Sequence, residues 1–113
     1  MEQADPPLAP AAFLILFALA TGDKHGYAIM QEARKLSEHS FQIGPATLYT
    51  TIQRLLDSER IREVPGPGNG DSRRKYYRLT GSGKAALSAE LARMEAMVRK
   101  SKAMRLRLAE SSS

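Results

Sequence analysis

A mainly α-helical fold closed by one small β-hairpin is what this sequence predicts, and three observations predict it. Three apolar stretches at helical spacing fill the first half, the densest of them at Leu8–Ala20. The turn-rich stretch Pro65-Gly66-Pro67-Gly68-Asn69-Gly70-Asp71 separates two short strand-like runs, Ile61–Val64 and Arg73–Thr80, the pattern of a hairpin. Beyond it Leu87, Leu91, Met94 and Val98 repeat at 4-3-4 spacing, the seam of a long helix that meets another helix.

Each helix carries local signals. In Leu8–Ala20 the residues Phe13, Leu14, Leu16, Phe17 and Leu19 are dense enough for a largely buried helix, which closes before Thr21-Gly22. Thr21–Gly26 reads as a turn, and a second helix spans roughly Tyr27–Ser37, with Ile29, Ala33 and Leu36 on one stripe. Pro45 suits the first turn of a third helix, where its missing N–H costs nothing. That helix, roughly Pro45–Ser58, buries Leu48, Ile52, Leu55 and Leu56 and turns Ala46, Thr50, Gln53 and Asp57 outward, with Tyr49 and Arg54 at the flanks. Thr80 is placed to cap the last helix, although Gly81 and Gly83 weaken its first turn. A helix of about 25 residues would extend roughly 38 Å, more than a small domain covers, so its apolar stripe is expected to meet a second copy of the chain.

Composition limits the classes of function. The 113 residues suffice for one domain with a helical appendage. The longest apolar run, Ala9–Ala20, is too short to span a bilayer and lacks the flanks of a secretory signal. With no cysteine there is no disulfide framework and no thiolate metal site. A cytoplasmic location, without a membrane partner, is the expectation. Charge is divided unevenly: residues 1–58 hold four Lys/Arg against six Asp/Glu, and residues 59–113 hold thirteen against six. The second half is therefore strongly basic, which points to a polyanionic partner, nucleic acid first among them.

In order, these elements make a winged helix-turn-helix followed by a long C-terminal dimerisation helix. The expected division is a flexible N-terminus at 1–8, the winged domain at 9–80 and the dimerisation helix with a frayed tail at 81–113.

Several of these pieces resemble the PadR family of bacterial transcription regulators. Phe13–Leu19 is similar to the family's opening helix, and His25-Gly26-Tyr27 to its His-Gly-Tyr element. Thr47-Leu48-Tyr49 with Ile52, Arg54 and Leu55 resembles its recognition helix, and Arg74–Thr80 with Gly83 its wing strand and the start of its last helix. The likeness covers Phe13 to Leu87, most of the chain. Where the family has Gly and Pro around Thr-Leu-Tyr, this chain has Ala46 and Thr50, and Glu59-Arg60-Ile61 stands where Gly-Leu-Ile is usual. The resemblance implies a homodimer, paired by its C-terminal helix, that represses nearby genes, and places the chain in the family's short subgroup. Some relatives respond to small aromatic or hydrophobic compounds, so a small hydrophobic effector is the ligand class the resemblance implies.

The expected partners are double-stranded DNA, at an inverted repeat, and a second copy of the chain. Ala46 permits close approach of the third helix, Thr50 and Gln53 are suited to base edges, and Tyr49 is suited to a phosphate. Thr47 and Arg54 complete that surface, and Arg73, Arg74 and Lys75 supply cations from the hairpin. The seam residues Leu87, Leu91, Met94 and Val98 carry dimerisation. No cofactor or metal is expected, and no enzyme: His25 and His39 are the only histidines, with no nucleophile–base–acid set around them. The competing reading is a winged helix that binds other proteins; Thr50, Gln53 and Arg54 argue against it because they leave no apolar patch on the third helix.

Overall fold

A computed structural model describes residues 5–67 and 74–111 of the chain. Its elements run α1 (Pro10–Leu19), β1 (Lys24–His25), α2 (Gly26–Leu36), α3 (Pro45–Asp57), β2 (Ile61–Val64), β3 (Tyr76–Leu79) and α4 (Gly81–Ser111). The three strands form one antiparallel sheet in the order β1-β3-β2. Ile61 faces Leu79 and Val64 faces Tyr76 across the β2–β3 pair, as a wing hairpin requires. The fold is thus mainly helical with a small sheet and one long terminal helix.

The apolar positions account for the packing. Helix α1 is central: Leu14, Ile15, Leu16, Ala18 and Leu19 are all buried, and α2, α3, α4 and β3 lie against it. Ile29 and Ala33 of α2, Leu48, Ile52 and Leu55 of α3, and Ile61, Tyr77 and Leu79 of the sheet complete one core. Tyr77 is buried on the face it shares with Leu79, as alternation along a strand dictates.

Two elements differ from the sequence reading. Lys24 and His25, expected in a turn, pair with Tyr77 and Tyr76 as a two-residue strand. So short a strand has no period to read and exists only because β3 offers it an edge. Helix α4 is longer than expected, 31 residues, because nothing in Lys84–Ser111 interrupts it. The segment Asp5–Leu8, expected to be flexible, is tied down. The Leu8 N–H donates to Glu90 Oε1 at 3.0 Å, and Arg93 donates to the Asp5 carbonyl at 2.9 Å. The Arg93 hydrogen bond and, after it, the Leu8 N–H hold the Glu90 carboxyl below its ordinary range.

Helix α3 ends in a Schellman motif. Arg60 N–H donates to the Leu55 carbonyl at 2.9 Å, and Glu59 N–H to that of Leu56 at 3.0 Å. The motif demands a left-handed residue after the cap, and Glu59 supplies it at φ +60°. The departure Glu59 for Gly therefore leaves the turn formed but strained. Glu59→Gly is expected to raise stability by about 1 kcal/mol, the left-handed penalty of a non-glycine residue, and a urea denaturation series measures it.

The residues of that turn also anchor α4. Thr80 Oγ1 donates to the Glu59 carbonyl at 2.6 Å and accepts from Gly83 N–H at 3.0 Å, so the expected cap is present. Thr80 N–H donates to the Arg60 carbonyl, and the Arg60 guanidinium reaches the Ser82 carbonyl, both at 3.0 Å. The Arg60 carbonyl lies so near Gly83 that a Cβ there would stand 1.9 Å from it.

Candidate nucleic-acid interface

Helix α3 presents its outward face to solvent because its buried face is spent. Leu48, Ile52 and Leu55 lie in the core, while Ala46, Thr47, Tyr49, Thr50, Gln53 and Arg54 are all exposed. The helix starts at Gly44-Pro45 with no side-chain cap, so the partial positive charge of its N-terminus is left open. A convex face with short polar side chains and a positive leading end has the shape and polarity a major groove accepts.

Two of these side chains are held in place. Gln53 Nε2 donates to Asp57 Oδ1 at 2.9 Å, one helical turn on. This leaves the second amide hydrogen and the carbonyl oxygen of Gln53 for a base edge. Asp57 thus holds the Gln53 amide on the outward face. The phenol of Tyr49 lies over the start of α2: a Cβ on Gly26 would come within 2.7 Å of its hydroxyl oxygen. Gly26 makes room for Tyr49, and this gives the His-Gly-Tyr element a physical reason. Tyr27, the next residue of α2, is 58% exposed.

The wing adds charge. Arg74 and Lys75 are exposed and line, with His25, Gln53, Tyr49 and Glu63, an open crevice of about 750 Å³ between α3 and the hairpin. Arg73 lies outside the described residues. Arg78, on β3 just beyond Lys75, is neutralised: its Nε and Nη2 donate to the two oxygens of Asp23 at 3.0 and 2.8 Å. The hydrogen bond from Arg78 holds the Asp23 carboxyl below its ordinary range. His25 occupies the junction between α2 and the wing. Its Nδ1 accepts from Ala28 N–H at 3.2 Å as the cap of α2, and its Nε2 lies 3.0 Å from Arg74 Nη1. The caps of helices are usually Ser, Thr, Asn or Asp, and the Arg74 contact spans 49 residues, so no local signal announces either.

The expected dimerisation residues divide. Leu87 is 5% exposed inside the core of its own chain, and Leu91 is half-buried against it. Met94 is half-buried and Val98 is exposed. Beyond them the helix leaves the domain, and every residue from 99 to 111 is exposed. The apolar side chains standing free on this part are Met97, Val98, Met104, Leu106 and Leu108. A seam counted from Leu87 misses Met97, Met104 and Leu106 because it starts on a residue already committed to the core.

Among the described residues no group of His, Cys, Asp or Glu is arranged to hold a metal ion, and no helix is long and apolar enough to cross a membrane. Comparison with known proteins agrees with this geometry. A curated protein of Lysinibacillus sphaericus, without assigned function, is 44% identical over 75 residues, covering 66% of this chain and 69% of that one. The transcriptional regulator Rv3488 of Mycobacterium tuberculosis is 34% identical over 85 residues, 75% of this chain and 76% of its own. Among solved structures, a transcriptional regulator from Clostridium thermocellum matches with a TM-score of 0.66 at 27% identity, over 80% of this chain and 88% of that one. Bacillus subtilis PadR, solved in complex with operator DNA, matches with a TM-score of 0.61 at 25% identity; the match covers 71% of this chain and 45% of that longer one. The model of the PadR-like family of transcriptional regulators matches residues 15–89, and with the helices, the wing and these relatives it establishes that the chain belongs to that family of regulators.

Proposed function

We propose that the chain acts as a homodimer that binds double-stranded DNA at an inverted repeat and represses transcription there. The observation that carries this reading is the exposed face of α3, with Ala46, Thr47, Thr50 and Gln53 outward beside the cations Arg74 and Lys75. The operator complex of Bacillus subtilis PadR supports the same partner. Thr50 and Gln53 read base edges, Gln53 with its amide fixed by Asp57. Tyr49, Arg74 and Lys75 contact the backbone, and Arg73 belongs with them by sequence. Two copies joined through α4, by Met94, Met97, Val98, Met104 and Leu108, present two such faces, and repression needs nothing beyond occupancy of the promoter. A small hydrophobic effector would take the pocket of about 290 Å³ lined by Leu8, Phe13, Phe17, Leu36 and Met94, at the root of the free part of α4.

Fluorescence anisotropy against the DNA upstream of the chain's own gene, beside scrambled duplex and across a salt series, tests the reading. Preference for the upstream duplex with a steep salt dependence is the expected result; a folded dimer that binds neither duplex at low salt would refute it. Single substitutions then separate the roles. Gln53→Ala is expected to cost about 1–3 kcal/mol on the preferred sequence and little on others. Lys75→Ala weakens every sequence alike and lowers the salt slope by about 0.9.

A further inference from the structure

The position of His25 between α2 and the wing poses a proton-counting problem. Its Nδ1 faces Ala28 N–H, and its Nε2 faces the guanidinium of Arg74; both neighbours have only hydrogens to offer. A neutral imidazole has one lone pair, so only one of the two contacts is a hydrogen bond. Protonation would leave neither. Burial, and then the charge of Arg74, push the imidazole below the ordinary histidine value, so the ring is kept neutral. The cap decides the tautomer. Ala28 N–H is a first-turn amide without a helical partner, whereas the Arg74 guanidinium is exposed and solvated. With the lone pair given to Ala28, Nε2–H faces Arg74 with hydrogens on both sides.

Two donors 3.0 Å apart, with no acceptor among the described residues between them, are half of an anion site. The other groups facing the ring are consistent with this. Tyr76 from β3 meets the imidazole edge-on, with ring centroids 5.3 Å apart at 88°, and fixes its plane. Tyr49 of α3 and Lys75 of the wing border the same crevice; Glu63 of β2 is the carboxylate along its lining. Arg74 makes no ion pair with any described carboxylate.

We propose that His25 Nε2–H and the Arg74 guanidinium together grip one phosphodiester oxygen of the DNA backbone, so that the start of α2 and the wing close on the same phosphate. The proposal rests on the DNA-binding reading given above and adds to it a residue outside both α3 and the hairpin. The phosphate supplies an acceptor that the described residues do not, and its negative charge offsets the repulsion between the two donors. The contact carries no sequence information; it sets the register of α3 in the groove.

Long-range nitrogen–proton NMR correlations on the free protein show which ring nitrogen carries the proton. The expected result is Nε2–H with a bare Nδ1. The opposite tautomer would overturn the proposal, because Nε2 would then already be accepting from Arg74. Binding is measured with a duplex that the wild-type protein selects from a random-sequence pool. His25→Asn keeps a cap for Ala28 and removes Nε2–H. It should melt like the wild type and bind about tenfold more weakly, the value of a charge-assisted hydrogen bond. Arg74→Met, at an exposed position, gives the same loss by the other partner, and the double variant should lose clearly less than the two losses combined. Wild-type affinity in His25→Asn, or fully additive losses, would overturn the grip and leave DNA binding standing. A wild type that selects no duplex overturns both.

Discussion

Gly83→Ala should unfold much of this domain's margin of stability, lowering it by about 3 kcal/mol or more. Two effects oppose each other at this position. Alanine is the better helix former by about 1 kcal/mol, and α4 is helical at Gly83. The new methyl group, however, would lie 1.9 Å from the Arg60 carbonyl oxygen and 2.9 Å from its carbon. Both are backbone atoms, so no rotamer relieves the clash. Either α4 backs away from the α3–β2 corner, or the bonds from Thr80 to Glu59 and Arg60 part. Overpacking of this kind costs about 1–3 kcal/mol where side chains can yield, and more where they cannot. For a domain of this size the melting temperature should fall by roughly 12–20 °C. Gly81→Ala is the control, since a Cβ there meets nothing; it should be neutral or stabilising by up to about 1 kcal/mol. Equal melting curves for the two variants would show that the corner can open without cost.

Met97→Glu with Val98→Glu should give a folded monomer that has lost most of its affinity for a two-site operator. Both side chains are more than half exposed within one chain, 62% and 55%, so the fold has no need of them. In a dimer paired through α4 they would be buried, and charges at both positions on both copies would repel. Without the partner, the second half-site is no longer held at high effective concentration, and affinity for the inverted repeat should fall by about 10²–10⁴. Affinity for an isolated half-site should hardly change. Sedimentation velocity reads the first effect and anisotropy the second. A variant that stays dimeric would move the interface to another surface. A monomer with full operator affinity would remove dimerisation from the binding mechanism.

The parts of this structure that follow from periodicity were legible in the sequence. The bounds of β2 coincide with Ile61–Val64, and Pro45 and Thr80 mark the starts of α3 and α4 as their chemistry requires. Outward residues of α3 could be read because four apolar positions fix which way the helix rolls. What escaped depends on contacts between distant segments. The closeness of Gly26 to Tyr49 and of Gly83 to Arg60 is a matter of packing, which a lone glycine does not reveal. The exposed methionines of α4 were hidden by a different cause. At 100° per residue Met97 and Met104 stand about 80–100° round the helix from Leu87, on a face that a stripe counted from Leu87 does not contain. The contact of His25 with Arg74 needed the pairing of β1 with β3, which a two-residue strand cannot advertise.

The corner at Glu59 and Arg60 works as a keyed joint. The last turn of α3, the first residue of β2 and the first turn of α4 meet there, locked by Thr80, Ser82 and a glycine with no clearance. Helix α4 extends from that joint as an axle of about 46 Å. An axle keyed to its gear cannot turn alone. In a dimer paired along α4, the pitch of each α3 is inherited from the angle at which the two axles cross. In such a dimer a twist of the shafts would turn the teeth with it, and half-site spacing would belong to the shaft rather than to the teeth.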